Sequence, residues 1–305
     1  METVKKKKLK NRLISHTKNF SNRFTSLENL VSLSQTPETD VLQNKLLTTK
    51  KKTMPEYLGF KKHPFGDSLD TSFFYKSSHH ETTLLKMKIS IEHDISFGMV
   101  IGKSGTGKTL ISQALLETLP REKYHPVLVP VTPNLSKSAF LKMILKGLDV
   151  ECDKKRDING LVDMLAEKII FMYNKNIKPV LLVDECHFLS SQALHILRTL
   201  SNFEAFHKKL LTCILFSEPS FLRRLNNPFY ASLKSRIYLD VELKALDFDE
   251  CVNYIKFRLL VAGKRKENFF SNEQLKMIFE VSKGIPRHIN KECTKLMVDN
   301  YVARK

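Results

Sequence analysis

Five short apolar runs alternating with helical stretches predict an α/β fold built on a five-stranded parallel sheet. A second observation completes the architecture: after about residue 242 no strand-like run remains, so a helical region is appended to the sheet. The runs occupy residues 97–101, 126–131, 179–183, 211–216 and 237–241. Between them, residues 110–119 place Ile111, Ala114, Leu115 and Leu119 on one apolar face before Pro120 stops the helix. Three further helices are expected near 247–262, 272–283 and 286–303, divided at Ala262-Gly263 and at Lys283-Gly284-Ile285-Pro286. There is no internal repeat. The domain reading is a basic arm over 1–55, an α/β core over 56–241 and a helical domain over 242–305.

Composition agrees with a folded chain. With 305 residues, 42% of them hydrophobic and 27% charged, there is enough apolar material for a sizeable core, which excludes a disordered or fibrous chain. No stretch approaches the 18 or so apolar residues that a membrane-spanning helix needs. The basic start is not followed by an apolar run of signal-peptide length. Five scattered cysteines, Cys152, Cys186, Cys213, Cys251 and Cys293, show no metal-ligand spacing and suit a reducing compartment. The expectation is a cytoplasmic protein.

The net charge of +18 favours anionic partners. It is concentrated: residues 1–55 carry 12 Lys and Arg against 4 Asp and Glu, the remaining 250 carry 38 against 28. The arm interleaves Lys5 to Lys8, Lys10, Arg12, Lys18, Arg23 and Lys50 to Lys52 with polar residues and buries too little to offset its ordering entropy. A solvated tail, a nucleic-acid-binding arm and adhesion to anionic lipid all fit this composition.

Chemistry enters with Gly102-Lys103-Ser104-Gly105-Thr106-Gly107-Lys108-Thr109. Glycines let backbone N–H groups turn inward around an anion, and the helix that follows points its positive end at the same place. Lys108 supplies a mobile charge for β- and γ-phosphates, and the Thr109 hydroxyl can ligate Mg²⁺. Residues 179–185 (PVLLVDE) form an apolar run ending in Asp184-Glu185, at the sheet edge where open α/β folds bind ligands. Asp184 would hold Mg²⁺ through water, and Glu185 would polarise an attacking water. A phosphate loop (Walker A) and a strand-end Asp-Glu (Walker B) on separate strands point to an NTPase.

Further motifs add a resemblance. Tyr57-Leu58-Gly59-Phe60 with Pro64-Phe65, Phe74-Tyr75 before His80-Glu81, Leu197-Arg198-Thr199-Leu200-Ser201-Asn202 with Glu204, Tyr254-Ile255 with Arg258-Leu259 and Ala262-Gly263, and Ser282, Gly284, Pro286-Arg287, Ile289-Asn290 follow in order. Over residues 57–300 the chain resembles the AAA+ ATPases of the ExeA type (general secretion pathway protein A), which are similar in turn to the TnsC and TniB transposition ATPases.

The resemblance implies an αβα core with a C-terminal helical lid, and a substrate of ATP with Mg²⁺. It implies that Arg287 is the lid arginine called sensor 2, and that Arg236 is an arginine finger sent into a neighbouring subunit. It therefore implies head-to-tail rings or filaments, since a site completed by a neighbour is a heterologous interface. Two roles follow: a DNA-coating helper of a transposase, or an ATPase of secretion or pilus assembly acting on proteins. ExeA-type proteins usually carry a membrane segment and a further domain after the core, so a chain ending just after the lid leans, like the charge, towards DNA. One position departs from the family: Glu218 in Phe216-Ser217-Glu218-Pro219 stands where the family has a polar amide, sensor 1. A carboxylate donates no hydrogen bond to phosphate and repels it, which puts fast hydrolysis in doubt; Ser217 is a possible substitute. His79 and His80, without metal-ligand partners, are read as polar residues of a lead-in helix.

Overall fold

A computed structural model describes residues 53–303, apart from 154 and 264–268. The basic arm lies, but for its last three residues, outside the described residues. Residues Met54–Lys305 form one compact unit.

The sheet holds β1 (Phe97–Gly102), β2 (Tyr124–Pro130), β3 (Lys178–Asp184), β6 (Thr212–Ser217) and β7 (Ile237–Leu243), all parallel in the order β2-β3-β6-β1-β7. These are the five expected runs, with ends shifted by one or two residues. A two-residue hairpin, β4 (Glu204–Ala205) and β5 (Lys208–Lys209), is an addition the sequence reading lacked.

Side chains alternate across the sheet, as the pleat requires. Met99, Val129, Leu181, Val183 and Leu215 face one side, where they pack with Phe140 and Ile144 of α3 (Lys137–Gly147), Leu161 and Leu165 of α4 (Ile158–Tyr173) and Leu197 of α5 (Ser191–Leu200). Val100, Leu182, Ile214 and Phe216 face the other, against Met87 and Ile91 of α1 (Ser78–Glu92) and Ile111 and Leu115 of α2 (Lys108–Thr118). The central strands β1, β3 and β6 are buried on both faces. The edge strand β7 alternates half-buried with exposed residues along most of its length.

The C-terminal helices α6 (Phe248–Val261), α7 (Asn272–Ser282) and α8 (Pro286–Val302) bury a separate cluster that includes Tyr254, Ile255, Ile278, Ile289 and Met297. Leu58, Phe60, Phe65 and Phe73 from the lead-in belong to this same cluster. Phe74 packs against the sheet, whereas these side chains pack the segment on the helical region. Arg258 of α6 fixes it there: Nε donates to Pro64 O at 2.6 Å and the guanidinium lies 4.8 Å from the Phe73 ring centroid.

Candidate functional site

Most of these helices begin on a capping side chain: Ser77, Ser136, Asp157, Ser190, Asp247 and Ser271 each accept from a first-turn N–H. Helix α2 does not. Gly107 stands at its N-cap with φ 104° and no side-chain cap, so the N–H groups of its first turn face outwards unsatisfied, the ordinary arrangement of an anion site. A Cβ on Gly102 would stand 2.5 Å from Thr106 Oγ1, and one on Gly105 2.6 Å from Arg287 Cβ. The loop from Gly102 to Thr109 is therefore tight enough to require its glycines.

Lys108 is buried at 4% exposure, and its Nζ donates to Gly102 O at 3.0 Å and Lys103 O at 3.3 Å. It is folded onto the loop it would share with a phosphate. Thr109 Oγ1 donates to Asp184 Oδ2 at 2.9 Å, and Asp184 Oδ1 accepts from Glu185 N at 3.0 Å. A hydroxyl and a buried carboxylate in contact form a hard-oxygen pair, which fits Mg²⁺. Glu185 sits in the left-handed region (φ 55°) with its carboxylate 38% exposed and its Oε2 3.4 Å from His187 Nδ1. Between them in sequence, Cys186 is fully buried, and burial pushes its thiol up to about 12, so it stays protonated and inert.

Arg287 lies in the first turn of α8, where its N–H donates to Gly105 O at 3.3 Å and its guanidinium to Ser104 Oγ at 3.0 Å. Ser104, Gly105, Gly107, Lys108, Thr109, Glu185 and Arg287 line one cavity, which continues past Tyr254, Arg258 and Asn290. Ser217 is buried, with its hydroxyl donated to the Glu218 carbonyl at 3.0 Å. Glu218 lies off that cavity and groups with Glu185 and His187, the nearest ligand atoms of all three lying within 4.8 Å of one another.

Arg236 is not brought to this place. It precedes Ile237, which pairs with Phe97 at the start of β1, whereas the phosphate loop begins at Gly102, the last residue of β1. The guanidinium is held at that far edge by Ser232 O at 2.6 Å and Asn202 Oδ1 at 3.3 Å.

His79 and His80 lie in helix α1, as expected; His80 is in addition buried, 4% exposed, 2.7 Å from Ser77 Oγ and 3.1 Å from Thr106 O of the phosphate loop. In sequence His80 stands out only within the Phe74-Tyr75, His80-Glu81 motif, which says nothing of its contacts. Tyr254 and Arg258 were visible only as one turn of a motif, four residues apart on one helix face; Arg258 Nη1 donates to Tyr254 OH at 2.9 Å, which donates to Asn290 Oδ1 at 2.8 Å.

Comparison with known proteins matches residues 91–225 to the family model of an AAA domain. That stretch, less than half of the chain, is thus similar to an AAA domain. Such a domain takes ATP with Mg²⁺, and the loop, hydroxyl and carboxylate described above suit both. General secretion pathway protein A of Aeromonas hydrophila is 29% identical over 243 residues, which are 80% of this chain and 44% of that protein. The chain thus spans less than half the length of this curated relative. The ORC2 protein of Aeropyrum pernix, solved in ADPNP–ADP complexes, superimposes with a TM-score of 0.56 at 14% identity, over 77% of this chain and 65% of that one. Cdc6p from Pyrobaculum aerophilum gives 0.56 at 14% identity, over 74% and 62%. The Aeropyrum pernix ORC1 protein, solved in complex with DNA, gives 0.55 at 14% identity, over 79% and 62%. These likenesses show the fold alone, a parallel α/β core with C-terminal helices. Among the described residues no helix is long and apolar enough to cross a membrane.

Proposed function

We propose that this chain is an ATPase that uses its nucleotide state to control self-assembly. The observation that carries the reading is the direct Thr109–Asp184 contact, which joins the phosphate loop to the strand-end carboxylate beside Glu185. When bound there, Mg²⁺ would neutralise charge on the phosphates, held by Thr109 and Asp184. Lys108 would leave its two loop carbonyls for the β- and γ-phosphate oxygens. Glu185 would orient a water for in-line attack and take its proton. Arg287 would place its charge on the γ-phosphate, so that hydrolysis loosens the contact between α8 and the loop.

Arg236, at the far edge of the sheet, is proposed to complete a neighbour's site, which makes the assembly head-to-tail, a ring or filament. Glu218 at the sensor 1 position offers the phosphate no donor, so hydrolysis by the isolated chain is slow. The test is nucleotide affinity and turnover in two variants. Lys108→Ala should lose ATP binding; Glu185→Gln should bind ATP as the parent does but fail to turn it over. Unchanged affinity in Lys108→Ala would sink the assignment.

For the working partner we propose DNA, with the chain as a cytoplasmic helper of a transposase. The +18 charge and its concentration in residues 1–55 support this. The secretion relative supports a second reading, an ATPase of secretion or pilus assembly that acts on protein partners.

A further inference from the structure

The phosphate loop is held from behind at two carbonyls. The Arg287 N–H takes that of Gly105 at 3.3 Å, and His80 takes that of Thr106, with Nε2 3.1 Å away. A carbonyl oxygen only accepts, so Nε2 carries the proton, and the bare Nδ1 of the neutral ring accepts from the Ser77 hydroxyl at 2.7 Å. The Phe74 ring stands edge-on to the imidazole with centroids 5.4 Å apart, which fixes its plane. Burial lowers the ring's pKa and keeps it neutral.

The Thr106 C=O and the Gly107 N–H belong to one trans peptide and point in opposite directions. With the oxygen tied to His80, the Gly107 N–H is aimed away from His80, into the loop. The tie matters because Gly107 is a glycine: at φ 104° it needs to be, and the same freedom lets its peptide plane turn over. A turned plane would present the Thr106 carbonyl to the phosphates and repel them. His80 fills the space behind this residue, where a Gly107 Cβ would stand 2.9 Å from Nε2.

We infer that His80 is a positioning residue of the nucleotide site, whose Nε2–H locks the Thr106–Gly107 peptide with its N–H towards the nucleotide's phosphates. This rests on the ATP-site reading above. The experiment measures ATP and ADP affinity by calorimetry in the full chain and in four variants. In His80→Leu no donor remains, and in His80→Asn the amide sits at the Nδ1 position, short of Thr106 O. Both should weaken ATP and ADP about tenfold or more. His80→Gln places its amide nitrogen where Nε2 was and should restore affinity to within about threefold of the parent. Ser77→Ala keeps the imidazole but frees its tautomer, and should weaken binding in the same direction. Nitrogen-15 NMR of His80 should report the Nε2–H tautomer. Equal affinities in parent, His80→Leu and His80→Asn, or an Nδ1–H tautomer, would overturn the inference while leaving the ATP site intact. Failure of the parent itself to bind ATP would overturn both. Should His80→Leu fail to fold, the tautomer and the contrast between the Gln and Asn variants still decide.

Discussion

Thr109 and Asp184 stand 75 positions apart in the chain and 2.9 Å apart in the fold, a contact that only the parallel sheet can create. Each residue type was readable beforehand because its chemistry is specific: a hydroxyl after a lysine at the loop's end, and a carboxylate closing an apolar strand. His80 was not readable, because an imidazole's role is set by what faces it. Its titration offers a test at this scale. Burial lowers its pKa below 6.5 and outweighs the hydrogen bond to Thr106 O and the Glu250 carboxylate, which raise it; His79, the other titratable group facing it, lowers it further. The unfolded chain therefore binds a proton that the native ring resists, so stability rises with pH between the folded value and 6.5. The contribution is fully present above about pH 7 and is lost as pH falls through the folded pKa. Comparison of parent and His80→Gln by urea unfolding at pH 7.5 and near pH 5 should show the parent losing more stability on acidification. Parallel losses would mean that the ring titrates normally. His63, also lowered by burial, adds the same slope to both proteins and cancels.

Among the elements, the central strands were legible as apolar runs because β1 and β3 are buried on both faces, and the helices after residue 242 because Gly263, Gly284 and Pro286 punctuate them. The β4–β5 hairpin was missed for a physical reason. Its two-residue loop puts Phe206 at φ 49° and His207 at φ 64°, where such turns normally use Asn-Gly, so the sequence carries no turn signal. The surface that the lead-in covers was not legible either, since a run of phenylalanines and prolines does not specify it. Arg258 decides that, as a buried guanidinium satisfied by carbonyl, hydroxyl and ring rather than by a carboxylate. Arg258→Lys keeps the charge but loses the fork that reaches Pro64 O and Tyr254 OH together. We expect a loss of about 2 kcal/mol in unfolding free energy. Faster amide exchange should be confined to residues near 58–66, where the lead-in lifts first. Uniform exchange across the whole unit would instead mean that Arg258 serves global packing.

For the whole molecule, the separation of Arg236 from the phosphate loop has a consequence for kinetics. A finger that works in trans makes turnover depend on concentration, because one chain alone lacks the group. Specific ATPase activity should rise steeply as the protein is concentrated, and Arg236→Ala should remove that rise, by ~10³-fold or more where assembly is complete. Activity of Arg236→Ala equal to the parent at every concentration would place the finger elsewhere.

The charge of the chain carries the remaining test, which separates the two proposed partners. Met54 and Tyr57 already belong to the folded unit, with Met54 packed on the helical cluster and Tyr57 5.1 Å from Tyr301. A truncation should therefore remove residues 1–52 rather than 1–55, and it leaves every residue of the phosphate loop, of Walker B and of the C-terminal helices in place. If the removed lysines and arginines neutralise DNA phosphates, affinity for duplex DNA falls with salt at a log–log slope of about −0.9 for each contact. The truncation should flatten that slope by several units and weaken binding almost equally on unrelated sequences, because phosphate contacts carry no sequence information. ATP hydrolysis without DNA should be unaffected. The measurement is a salt titration of DNA binding by full-length and truncated protein, each with a non-hydrolysable ATP analogue. Identical slopes would make residues 1–52 a bystander to DNA, and no DNA binding by either protein at low salt would move the proposal to secretion or pilus partners.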